Sequence, residues 1–259
     1  MSSSRVSWRS VGVALTFVFA AYLGLMPATS KAQDTIVFGT DPTYRPLAFM
    51  DENNKLVGFD IDIAHALAER MGAKAKIETM SFDGLIPALQ SKRIDVEPEM
   101  AIRPQRREQV DFSTPFFSQS NTVVMAIDRT DFNPTAPEQL KGQKIGLAIG
   151  TGSDILLSKV PDLNITRYNT VPDAFRDLVL KRIDVVAIDS LTAGYQVKNL
   201  FPTQLRVSKA SLSGKVEIGS AVRKGNTELL DRLNKAVEKM KADGSLDAII
   251  KKWFGDIAY

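Results

Sequence analysis

The sequence predicts an α/β protein of two similar halves, each a mostly parallel sheet flanked by helices, the two sharing one cleft. Three observations predict it. The pentapeptide KRIDV occurs at residues 92–96 and again at 181–185, each time where a helical pattern turns into a buried strand. Upstream of each copy lies an apolar strand ending in a Gly-Thr turn, "TIVFGTDPTY" before the first and "QKIGLAIGTGSD" before the second. Between these points β and α patterns alternate, which is the signature of parallel sheets. Open sheets of this kind bind ligands at the C-terminal ends of their strands.

Taken in order, the first 32 residues stand apart from this plan. Arg5 and Arg9 precede the apolar run Val11–Leu25, and Ser30-Lys31-Ala32 forms a small-x-small cleavage pattern. This reads as a secretory signal peptide with Gln33 as the first mature residue. A membrane anchor is the alternative, but the run is shorter than the roughly 20 residues that span a bilayer. Of the 33 basic residues, Arg5, Arg9 and Lys31 belong to this leader, so the remainder balances at 30 basic against 30 acidic. A neutral chain offers no electrostatic case for nucleic acid or anionic membrane as partner. There is no cysteine. An exported chain must then fold without disulfides, and it has no residue for lipid attachment after the leader.

"IDIAHALAERMG" follows with Ile61, Ala64, Leu67, Ala68 and Met71 on one helical face, Asp60 as the expected N-cap and Gly72 just past the end. The single histidine, His65, is read as an ordinary residue of that helix. With no cysteine and no second histidine, Cys-His catalysis and a His-rich metal site are excluded. The first KRIDV follows "SFDGLIPALQS", in which Leu85, Ile86 and Leu89 have helical spacing and Pro87 sits in the first turn. The second follows "VPDAFRDLVL", with Phe175, Leu178 and Val179 at the same spacing. Lys and Arg at both junctions suit the negative end of a helix dipole. The C-terminal stretch reads as two amphipathic helices broken at Gly244, carrying Leu229, Leu233, Ala236, Val237 and Met240, then Leu246, Ile249, Ile250 and Trp253.

Seven stretches in order, "GTDPTYRPLAF", "LVGFDIDIAHALAERMG", "FDGLIPALQSKRIDV", "RREQVDFSTPF", "KIGLAIGTGS", "KRIDVVAIDS" and "KADGSLDAIIKKWFG", resemble the polar amino-acid-binding proteins of ABC transporters, the extracellular solute-binding proteins of family 3. The resemblance spans essentially the whole chain after the leader. It implies the type II periplasmic-binding-protein fold: two lobes, each a mixed sheet flanked by helices, joined by a two-strand hinge. Lobe 1 would hold residues 33–122 and 219–259, lobe 2 residues 123–218, with "NTVVMAI" and "VEIGSAV" as the crossing strands.

It also implies a site. Arg106 stands at the family's carboxylate-binding arginine, Thr151 and Gly152 at the turn that meets the same carboxylate, and Asp189 at the acid that takes the α-ammonium. Tyr44 and Phe82 match the walls that sandwich the side chain, and Asp41 a carboxylate near its end. Elementary chemistry agrees, since a free amino acid needs a bidentate cation and backbone N–H donors at one end and an acid at the other. Taken alone, an Asp before Pro is a turn residue.

The chain departs from the family between the first KRIDV and Arg106. Where small residues are usual it reads Val96-Glu97-Pro98-Glu99-Met100-Ala101-Ile102-Arg103, one residue shorter. Ala101 replaces a hydroxyl but retains its backbone N–H, and Glu99 adds a third acid to Asp41 and Asp189. A cationic or strongly polar L-amino acid is therefore the expected ligand, such as arginine, lysine, ornithine or histidine. Amide side chains also suit an acid at Asp41, and Arg103 is an alternative counter-charge for Glu99. The protein is expected to be a periplasmic, monomeric binding component that hands its ligand to membrane permease subunits, without cofactor, metal or catalysis. The competing reading is a periplasmic cyclohexadienyl-type dehydratase on the same scaffold, with Glu97 or Glu99 as general acid. A receptor sensor domain would need a second membrane segment.

Overall fold

The computed structural model describes residues 34–255 together with Met1, so the expected leader and its cleavage site lie outside the described residues. The first half runs β1 (Thr35–Thr40), a small hairpin of β2 (Phe49–Met50) and β3 (Leu56–Val57), α1 (Phe59–Arg70), β4 (Lys74–Thr79), a 3-10 turn (Phe82–Gly84) leading into α2 (Leu85–Gln90), β5 (Val96–Ala101), α3 (Pro104–Arg107), β6 (Val110–Phe112) and β7 (Phe117–Gln119). The second half runs β8 (Asn121–Ala126), a 3-10 turn (Pro137–Leu140), β9 (Lys144–Ala148), α4 (Gly152–Leu157), β10 (Asn164–Tyr168), α5 (Val171–Val179), β11 (Val185–Asp189), α6 (Ser190–Leu200) and β12 (Leu205–Val207). The chain then closes with β13 (Val216–Arg223), α7 (Thr227–Ala242) and α8 (Ser245–Phe254). Among the described residues no helix is long and apolar enough to cross a membrane.

The strands form two mixed sheets of the same design. The first has the order β4-β1-β5-β13-β6, with β7 also on β13, and the second β10-β9-β11-β8-β12. In each, three strands are parallel and the fourth, β13 or β8, is antiparallel. That fourth strand is the one delivered by the chain's passage between sheets. The first passage is nearly straight, from β7 through Ser120 into β8. The return runs along it: Leu212 N–H donates to the Asn121 carbonyl at 2.7 Å, and the Ser120 and Ser211 hydroxyls meet at 2.8 Å. Both passages thus lie just ahead of the strands "NTVVMAI" and "VEIGSAV", each of which sits in a single sheet.

The recurrence of KRIDV has a packing cause. Both lysines end a helix in the left-handed region, Lys92 at φ 63° and Lys181 at φ 58°. Ile94 and Ile183 are then driven into the core, 1% and 5% exposed. Each fills the space left by a glycine on the neighbouring strand: a Cβ on Gly39 would lie 2.4 Å from Ile94 Cδ1, and one on Gly146 2.4 Å from Ile183 Cδ1. The aspartates cap those strands, Asp95 accepting from Val37 N–H at 2.8 Å and Asp184 from Lys144 N–H at 2.7 Å. Five residues therefore perform a turn, a core contact and a strand cap in both sheets.

Helix α1 begins earlier than the sequence suggests. Gly58, not Asp60, is the N-cap, because only a glycine can adopt φ 145° with the Leu47 carbonyl 2.1 Å from where its Cβ would be. Asp60 falls inside the first turn, buried, and accepts from the Thr40 hydroxyl at 2.5 Å. His65 is exposed on α1. Leu67 of α1, Leu233 of α7 and Ile250 of α8 are buried in the core that covers the first sheet, while Ile145, Leu147 and Val185 form that of the second. Full burial of such a side chain is worth about 1.5–3 kcal/mol, and the chain has no cysteine with which to add a disulfide.

Candidate functional site

Strand β5 brings acids to the cleft. It is a central strand, yet it contains Pro98, which has no N–H for a ladder. The register of β13 slips between Gly219 and Ala221 opposite this point, and the Ser220 hydroxyl donates to the Pro98 carbonyl at 2.8 Å. A proline is tolerated in such an irregularity. The extra residue that β5 carries between Glu97 and Met100 breaks the strict alternation of the strand, and Glu99 and Ala101 are the two that line the cleft. Glu97 and Glu99 are 1% and 4% exposed.

A small cavity gathers Tyr44, Leu47, Phe82, Glu99, Ala101, Arg106, Gln119, Thr151, Gly152 and Asp189. Eight of the nine residues predicted to bind a ligand are in this set. Arg106, at the last turn of α3, is 3% exposed and reaches across the cleft. It donates to the Ala101 carbonyl at 3.1 Å and the Gly150 carbonyl at 2.9 Å, and lies 5.2 Å from the Phe82 ring centroid. Tyr44 Oη donates to Asp189 Oδ2 at 2.7 Å, and Asn121 Nδ2 donates to the other carboxylate oxygen at 3.3 Å. Asp189 is positioned by the end of β11, immediately before α6. Thr151 caps α4 with its hydroxyl. Gly152 lets the Arg103 guanidinium approach closely, since a Cβ there would lie 2.9 Å from it and displace that side chain.

Asp41 is the residue outside the set. Its carboxylate is occupied by the Thr43 N–H and hydroxyl at 2.8 and 2.7 Å and by the Phe82 N–H at 3.1 Å. This is the turn geometry of an Asp before Pro, and it acts on the cleft by holding Phe82. In the turn before Thr151, the Gly150 N–H donates to Asp154 Oδ2 at 3.0 Å and is not free for an anion. Sequence reasoning missed Gln119 and Asn121, because "FFSQSN" has no motif and reads as a polar connection. Their importance comes from lying where the chain passes between sheets.

The electrostatics are unusual. Burial pushes Glu97 and Glu99 well above the usual carboxylate range, and Asp60 beside them adds to it. Asp60 is itself raised from 3.8 to about 7 by burial, against the opposing hydrogen bond from Thr40. Burial raises Tyr44, with Asp189 next in effect, and burial lowers Arg106 while Glu97 holds it up. Among the described residues no group of His, Cys, Asp or Glu is arranged to hold a metal ion.

The room between these groups is about 10 Å³, against about 710 Å³ in an apolar groove lined by Phe49, Pro172, Phe175, Leu200 and Phe201. The groove has no acid among its lining residues. Ligand sites combine apolar walls with a few convergent polar groups, so the small cavity is the candidate and must widen to admit a ligand. Widening requires parting Tyr44 from Asp189, Arg106 from Gly150, and Gln196 from the Arg45 carbonyl, which it meets at 2.8 Å.

The model of the bacterial extracellular solute-binding proteins, family 3, matches residues 36–256. The chain belongs to this family. The L-cystine-binding protein TcyJ of Escherichia coli is 35% identical over 227 residues, covering 87% of this chain and 84% of that one. An ancestral arginine-binding protein solved with arginine is 40% identical with a TM-score of 0.79, over 86% of this chain and 99% of its own. An ancestral amino acid-binding protein, described as a precursor of cyclohexadienyl dehydratase, is 34% identical with a TM-score of 0.77, over 85% and 95% of the two chains. This family-3 protein therefore has the two-lobed fold of periplasmic binding proteins, with its two sheets facing one cleft.

Proposed function

We propose that the protein is the periplasmic substrate-binding component of an ABC importer, exported by a leader cleaved near Ala32, that takes a polar or cationic L-amino acid between its lobes. One observation carries this reading: the buried Arg106 on one wall and Asp189 on the other face the same cavity between the Tyr44 and Phe82 rings. A carboxylate suits the guanidinium, which at present has only backbone carbonyls as partners, and an ammonium suits Asp189. Glu99 tilts the balance toward extra positive charge on the ligand. Relatives named for cystine and arginine support an amino acid as cargo.

Ligand would enter with the lobes parted and favour the closed form because only there do both walls bond it. The two sheets with their helices, between which the chain passes at Ser120 and again ahead of Val216, supply the two moving bodies. The closed monomer then docks on the two permease subunits. The alternative, a cyclohexadienyl-type dehydratase, is favoured by one observation, the buried Glu97 and Glu99, whose carboxyls burial pushes well above the usual range.

Calorimetry on protein refolded from denaturant, titrated with basic, amide, acidic and aromatic amino acids and with prephenate, separates the two. Saturable binding of an amino acid that drops at least about a hundredfold in Arg106→Ala is the expected result. Continuous heat on adding prephenate, with no amino acid bound, would overturn it in favour of catalysis.

A further inference from the structure

Gln119 ends β7, one residue before the passage between sheets, and its side chain is 7% exposed. Its Nε2 donates to Glu99 Oε1 at 3.4 Å, while its Oε1 has no hydrogen-bond partner. A buried carbonyl oxygen without a donor is uncommon in a folded protein. Gln119 is one of the residues that line the cavity holding Arg106 and Asp189. Glu99 lacks compensation too: among the described residues its side chain's one hydrogen bond is the long one from Gln119, and it makes no ion pair. Behind it on the same strand, Glu97 Oε2 is likewise unpartnered.

We propose that Gln119 and Glu99 form a specificity-determining pair that receives a cationic N–H group of the ligand, Glu99 releasing one proton to solvent as it does so. The inference rests on the amino-acid-binding reading and deepens it. Gln119 Oε1 accepts one N–H, and the Glu99 carboxylate, held by Gln119 Nε2, balances the arriving charge. The groups around Glu99 favour a proton on it. Glu97 from β5, Asp60 from α1, Asp189 from the end of β11 and Tyr44 from the loop after β1 stand against Arg106, the single buried cation among the described residues, with Arg103 at the rim. Burial first, then Asp60 and Asp189, push the Glu99 carboxyl well above the usual carboxylate range, with Arg106 opposing them. A ligand cation within hydrogen-bond reach reverses that preference, as an opposite charge lowers a carboxyl's proton affinity. A neutral ligand of the same shape leaves Glu99 protonated and Gln119 Oε1 weakly paired.

The test is calorimetric titration of L-arginine and its neutral analogue L-citrulline into the refolded protein, in phosphate and in Tris, whose ionisation heats differ. The buffer-dependent part of the heat counts protons. Arginine is expected to release close to one proton from the wild type and close to none from Glu99→Gln, with arginine affinity rising severalfold as pH rises across neutrality. Gln119→Leu should weaken arginine about tenfold and narrow its preference over citrulline, since it removes the acceptor. Arginine binding with no buffer dependence in the wild type, or an unchanged arginine-to-citrulline ratio in Gln119→Leu, overturns the pair while leaving the amino-acid reading intact. Failure of every amino acid to bind overturns both. The wild-type measurement needs no variant, so a misfolded substitution cannot mask the result.

Discussion

Tyr44 Oη donates a 2.7 Å hydrogen bond to Asp189 Oδ2, joining the loop after β1 in the first lobe to the end of β11 in the second. The two residues are 145 positions apart in sequence, and nothing local brings them together. On the proposed closure mechanism the bond forms when the lobes meet, and so belongs to the closed form rather than to either lobe's own stability.

Tyr44→Phe keeps the ring against Phe82, 6.0 Å between centroids, and removes the hydroxyl alone. The expected result is about a fivefold loss of ligand affinity, carried mainly by faster dissociation, and little change in the unfolding midpoint of the ligand-free protein. Stopped-flow fluorescence of the bound and released ligand checks this. Unchanged dissociation would remove the bond from the closure step.

Gly39 and Gly146 make room for Ile94 and Ile183. An alanine at either glycine is expected to cost about 1–3 kcal/mol by overpacking. Combining Gly39→Ala with Ile94→Val, which deletes the atom 2.4 Å from the new Cβ, should recover more than about 1 kcal/mol relative to additivity, and Gly146→Ala with Ile183→Val should do the same. Urea denaturation of the four single and two double variants gives the coupling. Additive losses at either site would mean that the clash relaxes through the backbone instead.

Asp60 predicts the pH dependence of folding. Its folded value of about 7 lies above the ordinary 3.8, so over that interval the folded chain holds a proton that the unfolded chain has lost. Its contribution to stability is complete below about pH 4 and fades as pH rises through about 7. Glu97 and Glu99 are shifted in the same direction. Wild-type stability should therefore fall between about pH 5 and about pH 8, and Asp60→Asn should flatten that fall by more than about 1 kcal/mol. Urea midpoints measured across this range decide it; parallel profiles for the two proteins would show that Asp60 is charged in both states.

Much of this architecture was legible in the chain because it is written in local pattern. KRIDV at two positions, a Gly-Thr turn upstream of each, and helical stripes such as Leu229-Leu233-Ala236-Val237-Met240 need only neighbours a few residues away to have meaning. The expected leader rests on charge and apolar length alone and lies outside the described residues. Resemblance to a family then brought Tyr44, Arg106, Thr151, Gly152 and Asp189 into one expected site, and all five line one cavity. Local rules failed where a neighbour distant in sequence decides. Asp60 looks like a helix cap, but the Leu47 carbonyl beside Gly58 sets the helix start two residues earlier, leaving Asp60 buried against Thr40. Asp41 is the reverse case: the local rule for an Asp before Pro describes its hydrogen bonds to Thr43 and Phe82, whereas the resemblance had set it near the end of the ligand's side chain.

By itself, then, the sequence determined the repeated α/β plan, the neutral charge of the chain after the leader and the absence of thiol chemistry, since periodicity, composition and short motifs are properties of adjacent residues. Only the tertiary structure decided that Gln119 faces the cleft with an unpartnered oxygen, that Glu97, Glu99 and Asp60 lie together with one buried arginine, and that Tyr44 meets Asp189. Those facts depend on which strands pair and how the chain passes twice between the sheets, and in the interior a proton or a hydrogen bond is governed by distance in space, where the dielectric is low and no water can substitute for a missing partner.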